Sequence, residues 1–266
     1  MSRDAEGAGA NVATIDPDVV EARLTDLLRK LGDIAPGACC AGAAGAEVVD
    51  ARARLTALLE RLLPGSRICV VHDARLVLAA AGLDAGIALI AGTGSVAYGR
   101  AADGREAQRG GWGWMIGDEG AGVWITRAAA RLAMSRLEAG APAGPLVAAM
   151  LAATGAEDAR GFIAVLHARH EPLGWAAMAS VVFDTADEDA GSRDIIRRAA
   201  IELANRVVEV RDALGVEGPV VLAGGLLLNQ PRLERAVRES LPMRCVRLEE
   251  PPVEGAVRLA QELIRA

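Results

Sequence analysis

Two hydroxyl side chains in a glycine-dense turn form the first candidate for chemistry in this chain of 266 residues. The apolar run from Ile87 to Ala91 has the pattern of a buried strand and leads into Gly92-Thr93-Gly94-Ser95. Glycine lets the backbone approach an anion closely, and the hydroxyls add hydrogen-bond donors, which favours phosphate binding. The alternative is an ordinary glycine hairpin, because a second strand-like run follows at once. No G-K-[ST] follows the turn, which excludes a Walker-type phosphate loop.

A second glycine-dense loop, from Gly110 to Gly122, contains two tryptophans and an Asp-Glu pair. Indole rings such as that of Trp112 stack on apolar ring surfaces, and a neighbouring carboxylate such as that of Asp118 accepts hydrogen bonds from hydroxyl groups. This combination indicates that the loop forms one side of a substrate-binding site. The alternative is that Asp118 caps the helix that begins near Val123, with Glu119 in its first turn.

Asp73 lies directly after the strand-like run from Ile68 to His72. A carboxylate at the carboxyl end of a strand can orient an attacking hydroxyl and accept its proton, which is the role of a general base in phosphoryl transfer. The alternative is an N-cap for the helical segment that begins at Ala74. We interpret His72 as a partly buried neighbour of Asp73.

A third glycine turn, Ala223-Gly224-Gly225-Leu226, follows the strand-like run from Pro219 to Leu222. Its glycines allow a ligand to approach the backbone closely, or serve only the packing of a tight strand-to-helix connection. The GTGS turn earlier in the chain favours the ligand-binding interpretation.

Around these turns, helical and strand-like patterns alternate. Helices are predicted from Pro17 to Leu31 and from Val48 to Leu63, and strands from Ala38 to Ala44 and from Ile68 to His72. This alternation predicts an α/β layer structure whose ligands bind at the carboxyl ends of strands.

Composition and charge restrict the class of protein. A net charge of −6 argues against nucleic acid as the main partner. The four cysteines lack C-x-x-C spacing and are interpreted as buried thiols of a reducing compartment. No segment is apolar enough over a sufficient length to span a bilayer, so we expect a cytoplasmic protein that binds no membrane.

The segment between the second and third glycine turns is predicted to be helical. Helices are expected over 124–137, 146–153, 159–167 and 173–183, followed by a long helix over 191–214 that the acidic turn at 184–189 caps. His167 and His170 are three residues apart but have no acidic or thiol companion at metal-ligand spacing, so we interpret them as solvated surface residues.

The order of a strand, GTGS, GGWG and GDEG resembles the N-acetylglucosamine kinase branch of the BadF/BadG/BcrA/BcrD-type ATPases. That family belongs to the superfamily of actin, hexokinases and heat-shock ATPases. The motifs His72-Asp73-Ala74, Ala223-Gly224-Gly225-Leu226 and Pro252-Val253-Glu254-Gly255-Ala256 extend the resemblance over nearly the whole chain from about Gly7.

The resemblance implies a two-lobed, actin-like ATPase (ribonuclease H-like) fold. Residues 1–84, completed by the helix over 255–266, would form the N-terminal lobe, and residues 85–254 the C-terminal lobe with the nucleotide motifs and a helical insertion. It also implies an ATP- and Mg²⁺-dependent kinase of N-acetylglucosamine or a related amino sugar, acting as a homodimer whose lobes close over the substrates.

The resemblance also assigns residues, as follows. ATP phosphates would meet Gly92, Thr93, Gly94 and Ser95, and the nucleoside would meet Gly224 and Gly225. The sugar would meet Asn11, Asp73, Trp112 and Asp118, with Asp73 as the base. None of these residues is expected to be a metal ligand.

One departure from the family concerns the N-terminus, where relatives have a strand, a D-G-G-G-T-K phosphate turn and a second strand. No such motif precedes Gly7, so we expect the first strands of the N-terminal sheet to be missing and an apolar sheet edge to be exposed. Two alternatives to the kinase therefore remain open. One is a catalytically impaired sugar or nucleotide binder. The other is an ATPase activator of the 2-hydroxyacyl-CoA dehydratase type, which needs cysteines to hold an iron–sulfur cluster between subunits; the adjacent position of Cys39 and Cys40 in a strand pattern argues against it.

Overall fold

The computed structural model describes residues 4–9, 11–32, 34–140, 142–168 and 170–265. The chain forms two compact units, of which the first combines Met1–Asp84 with Leu248–Ala266 and the second is Ala85–Arg247.

The elements follow one another along the chain in three groups. The first group is α1 (Pro17–Leu31), β1 (Ala38–Ala43), α2 (Val49–Leu62), β2 (Arg67–His72) and α3 (Asp73–Ala80). The second is β3 (Gly86–Ala91), β4 (Ser95–Arg100), β5 (Glu106–Gly110), α4 (Gly122–Glu138), α5 (Pro145–Thr154), α6 (Ala159–Ala168), α7 (Pro172–Ala177), α8 (Ser180–Asp184), α9 (Ala190–Leu214), β6 (Val220–Ala223), α10 (Gly225–Asn229), α11 (Pro231–Ser240) and β7 (Cys245–Arg247). The last is α12 (Pro252–Arg265).

In the first unit, β1 and β2 run parallel and align Cys40 with Cys69. Side chains alternate between the two faces of this small sheet. One face packs against α2 through Leu55, Leu58 and Leu59, and the other packs against α3 and α12. Both faces of β2 are therefore covered, which fixes the position of the strand that ends at His72, directly before Asp73.

The second unit is built on a five-stranded sheet in the order β5-β4-β3-β6-β7. The continuous apolar run of β3 is buried because this strand lies in the middle, antiparallel to β4 and parallel to β6. The carboxyl ends of β3 and β6 therefore lie side by side, and each is followed by one of the glycine turns.

Helices α4 and α9 form the core of the second unit with the sheet. The buried face of α9 includes Ile195, Leu203 and Val207, and Asp189 caps its first turn by accepting hydrogen bonds from the N–H groups of Gly191 and Ser192. The predicted cap of the long helix is thus confirmed.

The predicted α/β class is confirmed, with local differences; for example, the short helix α10 begins within the predicted glycine turn at Gly225. Strand β5 was not predicted, because Glu-Ala-Gln-Arg-Gly lacks the alternating apolar pattern of a strand, and it is ordered by pairing with β4. The helix predicted over 173–183 divides into α7 and α8. Among the described residues, no helix combines the length and apolar character needed to cross a bilayer.

Candidate active site

The GTGS turn joins β3 to β4 as a tight hairpin, as its alternative interpretation predicted. The N–H of Gly92 donates to the carbonyl of Gly94 at 2.9 Å. The first amides of α4 close the other side of the turn, since the N–H of Gly122 donates to the carbonyl of Gly92 at 2.9 Å and that of Val123 to the carbonyl of Thr93 at 3.4 Å. The turn is thus held rigidly at the start of a long helix.

Two successive amides of this turn take no part in these bonds. Within the described part of the chain, no hydrogen-bond partner is found for the N–H of Thr93 or of Gly94. Both residues are half-buried. Adjacent backbone donors without partners form the kind of concavity that binds an anion, so the turn fits a phosphate group.

Asp118 connects the GTGS turn to the second glycine loop. Its Oδ1 accepts a hydrogen bond from the N–H of Ser95 at 3.2 Å, and the Ser95 hydroxyl donates to the carbonyl of Glu119 at 2.9 Å. A Cβ atom at Gly94 would lie 2.6 Å from Oδ2 of Asp118, so only glycine permits this approach. The two motifs therefore form one structural group.

The environment of Asp118 is unusual for a carboxylate. The residue is 7% exposed and has a φ of 57°, a left-handed conformation that aspartate adopts more readily than most residues. Burial raises the pKa of this carboxyl group, the Ser95 N–H lowers it, and Glu119 raises it further. Asp118 is not the N-cap of α4, which the sequence left open, because Ala121 holds that position without a side-chain bond.

Trp112 lies on the outer side of the second loop. It is 59% exposed, and its Cβ would lie 3.0 Å from a Cβ placed at Gly117. The N–H of Gly117 donates to the carbonyl of Gly113, which folds the segment back on itself. An exposed indole one short turn from a buried carboxylate suits a hydroxylated ring compound.

The turn at Gly224 and Gly225 lies against the end of β3. Gly224 has a φ of 93°, and a Cβ there would lie 2.4 Å from the carbonyl oxygen of Ala91. In contrast, a Cβ at Gly92 would meet only the N atom of Gly225, at 3.9 Å. The two glycine turns therefore lie side by side, so that a ligand bound at one could also contact the other.

In the first unit, Asp73 is the first residue of α3 and about half-exposed. Its Oδ1 accepts from the N–H of Ala74 at 2.8 Å and lies 3.0 Å from Nδ1 of His72. The N-cap position belongs to His72, whose Nδ1 also accepts from Ala74 at 3.1 Å. The alternative interpretation of Asp73 as the N-cap is therefore wrong.

His72 is buried and its other ring nitrogen, Nε2, lies 3.7 Å from Oε2 of Glu47. The sequence interpretation of His72 as a buried neighbour is confirmed, but Glu47 was missed. No motif marks Glu47, because it lies in the turn after β1 and reaches His72 only through the parallel pairing of β1 with β2.

Asn11 is placed in the same unit by a turn of its own. Its Oδ1 accepts from the N–H groups of Ala13 and Thr14, at 3.0 and 3.2 Å, and lies against Gly45. The side-chain oxygen is therefore committed to the backbone, and the amide nitrogen is the atom that remains for a ligand.

His167 and His170 are exposed, as the sequence predicted. Across the described residues, no three His, Cys, Asp or Glu side chains form a group that could hold a metal ion. The cysteines Cys39, Cys40, Cys69 and Cys245 are free thiols of intermediate exposure rather than fully buried.

Comparison with known proteins gives a consistent picture. The sequence profile of the BadF/BadG/BcrA/BcrD ATPase family matches residues 20–257. The N-acetylmuramic acid/N-acetylglucosamine kinase of Clostridium acetobutylicum is 37% identical over 124 residues, which are 45% of this chain and 40% of that protein. The match thus spans less than half the length of this curated relative.

Two solved structures share the fold over almost the whole chain. A candidate N-acetylglucosamine kinase from Chromobacterium violaceum superposes with a TM-score of 0.70 at 26% identity, covering 96% of this chain and 89% of that one. A second candidate of this kind, from Porphyromonas gingivalis, has a TM-score of 0.71 at 20% identity and covers 97% and 90%. The predicted actin-like ATPase fold is confirmed.

Proposed function

The chain belongs to the BadF/BadG/BcrA/BcrD ATPase family, and we propose that it transfers a phosphoryl group from ATP to N-acetylglucosamine or a related amino sugar. The observation that carries this proposal is the joining of the GTGS turn to the GDEG loop through Ser95 and Asp118. One group of residues then offers open amides for a phosphate beside a carboxylate and an indole for a sugar. The amino-sugar kinase names of the relatives from Clostridium acetobutylicum and Chromobacterium violaceum support the same substrate class.

For the nucleotide, we propose that the amides of Thr93 and Gly94 bind ATP phosphates, with Gly92 and Ser95 shaping the turn. The closeness of the two turns, with a Cβ at Gly92 only 3.9 Å from the N atom of Gly225, supports nucleoside binding over the Gly224-Gly225 turn. Mg²⁺ would neutralise charge on the phosphates during transfer. Because no cluster of three metal-ligating side chains occurs among the described residues, phosphate oxygens and water would supply most of its ligands.

For the sugar, we propose that the indole of Trp112 covers the ring while Oδ2 of Asp118 accepts a hydrogen bond from a hydroxyl group. Asn11 would donate through its amide nitrogen, since its oxygen is occupied by the turn. Asp73 would take the proton of the attacking hydroxyl, which requires a carboxylate that is ionised and accessible. The exposure of its side chain, 47%, meets the second condition.

The role of Asp73 can be tested by kinetics with a matched control. Asp73→Asn keeps the size and the bond to Ala74 but cannot accept a proton, so kcat with N-acetylglucosamine should fall by about 100-fold or more while sugar affinity by calorimetry stays similar. Asp50→Asn changes an exposed aspartate at the start of α2 and should leave kcat unchanged.

Two outcomes would contradict parts of the proposal. Unchanged kcat in Asp73→Asn would rule out Asp73 as the base. Sugar binding by the unsubstituted protein without ADP release, whichever amino sugar is offered, would identify the chain as a non-catalytic binder. N-acetylmuramic acid belongs in this substrate panel because the relative from Clostridium acetobutylicum is named for both sugars.

A further inference from the structure

The second unit contains a cavity of about 840 Å³ that takes no part in the proposed reaction. Its walls come from α4, α6 and α7 and from the second glycine loop, through Trp114 and Met115. The volume falls in the range of small-molecule sites in proteins, roughly 300–1,000 Å³. None of the residues assigned to ATP or to the sugar lines it.

The lining is largely apolar. Trp114 and Trp175 contribute indole surfaces, and Met115, Met134, Ile163 and Leu166 contribute flexible or branched apolar surface. Met115 is 74% exposed and Ile163 is 42% exposed, so part of this apolar surface faces solvent. An apolar surface left exposed in a concave site indicates a ligand with an apolar body.

The charged groups of the cavity are predominantly basic, although the whole chain carries a net charge of −6. Arg127 and Arg131 lie one helical turn apart on α4, with His167 and His170 across the cavity and Glu138 as the acidic residue of the lining. Within the residues that the structure describes, Arg131 forms no hydrogen bond or ion pair. Its guanidinium is therefore available to an anion.

Arg127 has a different function at the rim. Its Nη2 donates to the carbonyl of Trp114 at 2.5 Å, which ties α4 to the loop that also contains Trp112 and Asp118. This bond fixes one wall of the cavity. It also leaves Arg131 as the guanidinium without a partner.

We propose that this cavity is a binding site for a small organic anion with an aromatic or other apolar ring body. The ring would lie among the indole and thioether side chains, and the acidic group would pair with Arg131. The site is separate from the proposed kinase site, so the proposal does not depend on the identity of the phosphorylated sugar.

The test compares two fluorescent probes that share an apolar body. 8-Anilinonaphthalene-1-sulfonate carries an anionic group, whereas N-phenyl-1-naphthylamine is its neutral counterpart. We expect saturable binding of the sulfonate with one probe per chain. Arg131→Ala should weaken sulfonate binding about tenfold, since one charge-assisted contact is lost, and should leave the neutral probe unchanged.

Two further variants complete the design. Arg235→Ala removes an exposed arginine from α11 that does not line the cavity, and should bind both probes like the unsubstituted protein. Ile163→Asp places a carboxylate at an exposed position of the cavity lining. It should weaken the binding of both probes, and that of the sulfonate more strongly. Thermal melts of each variant confirm that it is folded.

Equal sulfonate affinity in Arg131→Ala and in Arg235→Ala would overturn the proposal. Binding that Ile163→Asp leaves unchanged would also overturn it, because the probe would then lie elsewhere. A third contradictory result would be conversion of an oligomer to a monomer by the probe in light scattering, since the occupant of the cavity would then be a second copy of this chain.

Discussion

At the scale of single residues, Asp118 combines properties that favour function over stability. It is buried, its backbone is left-handed, and its carboxyl pKa is raised chiefly by loss of solvent. A carboxyl group whose pKa is higher in the folded than in the unfolded state makes folding less favourable as pH rises through that folded pKa. Above that pKa the ionised group therefore lowers the free energy of unfolding.

Removing the charge of Asp118 separates its effect on stability from its proposed effect on sugar binding. Asp118→Asn keeps an oxygen for the Ser95 N–H and tolerates the left-handed backbone, so we expect a melting temperature at pH 7 no lower than that of the unsubstituted protein. If Asp118 binds the sugar, affinity for N-acetylglucosamine should fall at least tenfold. Calorimetry of binding and of unfolding checks both. A large loss of stability would show that the carboxylate is mainly structural.

The glycines of the two turns proposed to bind the nucleotide differ in what an added side chain would contact. Gly94→Ala should displace the Asp118 carboxylate, since the new Cβ would lie 2.6 Å from Oδ2, and should cost about 1–3 kcal/mol of stability. Gly225→Ala meets nothing closer than 3.9 Å, so the melting temperature should be kept while the KM for ATP rises. An unchanged KM for ATP in Gly225→Ala would remove Gly225 from the nucleotide site.

At the scale of secondary-structure elements, the sequence predicted the helices and strands that a local residue pattern marks. Asp16 and Pro17 at the start of α1 and Asp189 before α9 are capping patterns that require no knowledge of the fold. Strand β5 and the contact of Glu47 with His72 depend on pairing between distant segments, which no local pattern encodes. The hydrogen bond from the Ser95 N–H to Asp118 also joins distant segments, although the sequence identified each of the two motifs separately.

The cap of α9 gives a test of stability. The Asp189 side chain is 4% exposed and pairs with Arg136 at 2.6 Å, which lowers the Asp189 pKa to about 2. A carboxyl pKa below the unfolded value contributes stability above about pH 4 that is lost as pH falls towards 2, here about 2 kcal/mol. Asp189→Asn should lower the free energy of unfolding at pH 7 by about 2–4 kcal/mol and flatten its pH dependence in that window.

Asp194 on the same helix provides the control for this experiment. It is also ion-paired, with Arg197 and Arg198, but its side chain is 46% exposed. Asp194→Asn should therefore change stability by less than about 1 kcal/mol. Equal effects of the two substitutions in denaturant titrations would contradict the account of the Asp189 pair.

The pairing of β1 with β2 gives a prediction about thiol reactivity. Cys40 lies opposite Cys69, and the neighbouring Cys40 thiol lowers the Cys69 pKa to about 7 with help from Arg52 and Arg75, against the effect of burial. Burial raises the pKa of the Cys245 thiol. Cys69 should therefore react with iodoacetamide before Cys245 at pH 7, with a rate that rises with pH up to about 8.

Peptide mass spectrometry after short labelling measures this order. Cys40→Ala removes the thiol beside Cys69 and should slow the labelling of Cys69 at pH 7. Cys245→Ala should leave the labelling rate of Cys69 unchanged. Similar labelling rates for Cys69 and Cys245 at pH 7 would contradict the predicted thiolate.

At the scale of the whole molecule, the sequence predicted the family and the fold because a strand and the GTGS, GGWG and GDEG motifs occur in a specific order. The family match over residues 20–257 and the structural matches confirm both. The functions of individual residues depend on which substrate atoms they contact, and sequence motifs do not show those contacts. Asp73, Trp112 and Asp118 therefore remain proposals, each with its own test above.

The most direct test of the central claim is detection of the product. Purified protein incubated with ATP, Mg²⁺ and N-acetylglucosamine should give a sugar whose mass has increased by one phosphoryl group, with one ADP formed for each product molecule. Asp73→Asn should give almost none. The absence of a phosphorylated sugar from N-acetylglucosamine, N-acetylmuramic acid and other hexosamines, with a protein that is folded and binds ATP, would contradict the proposed function.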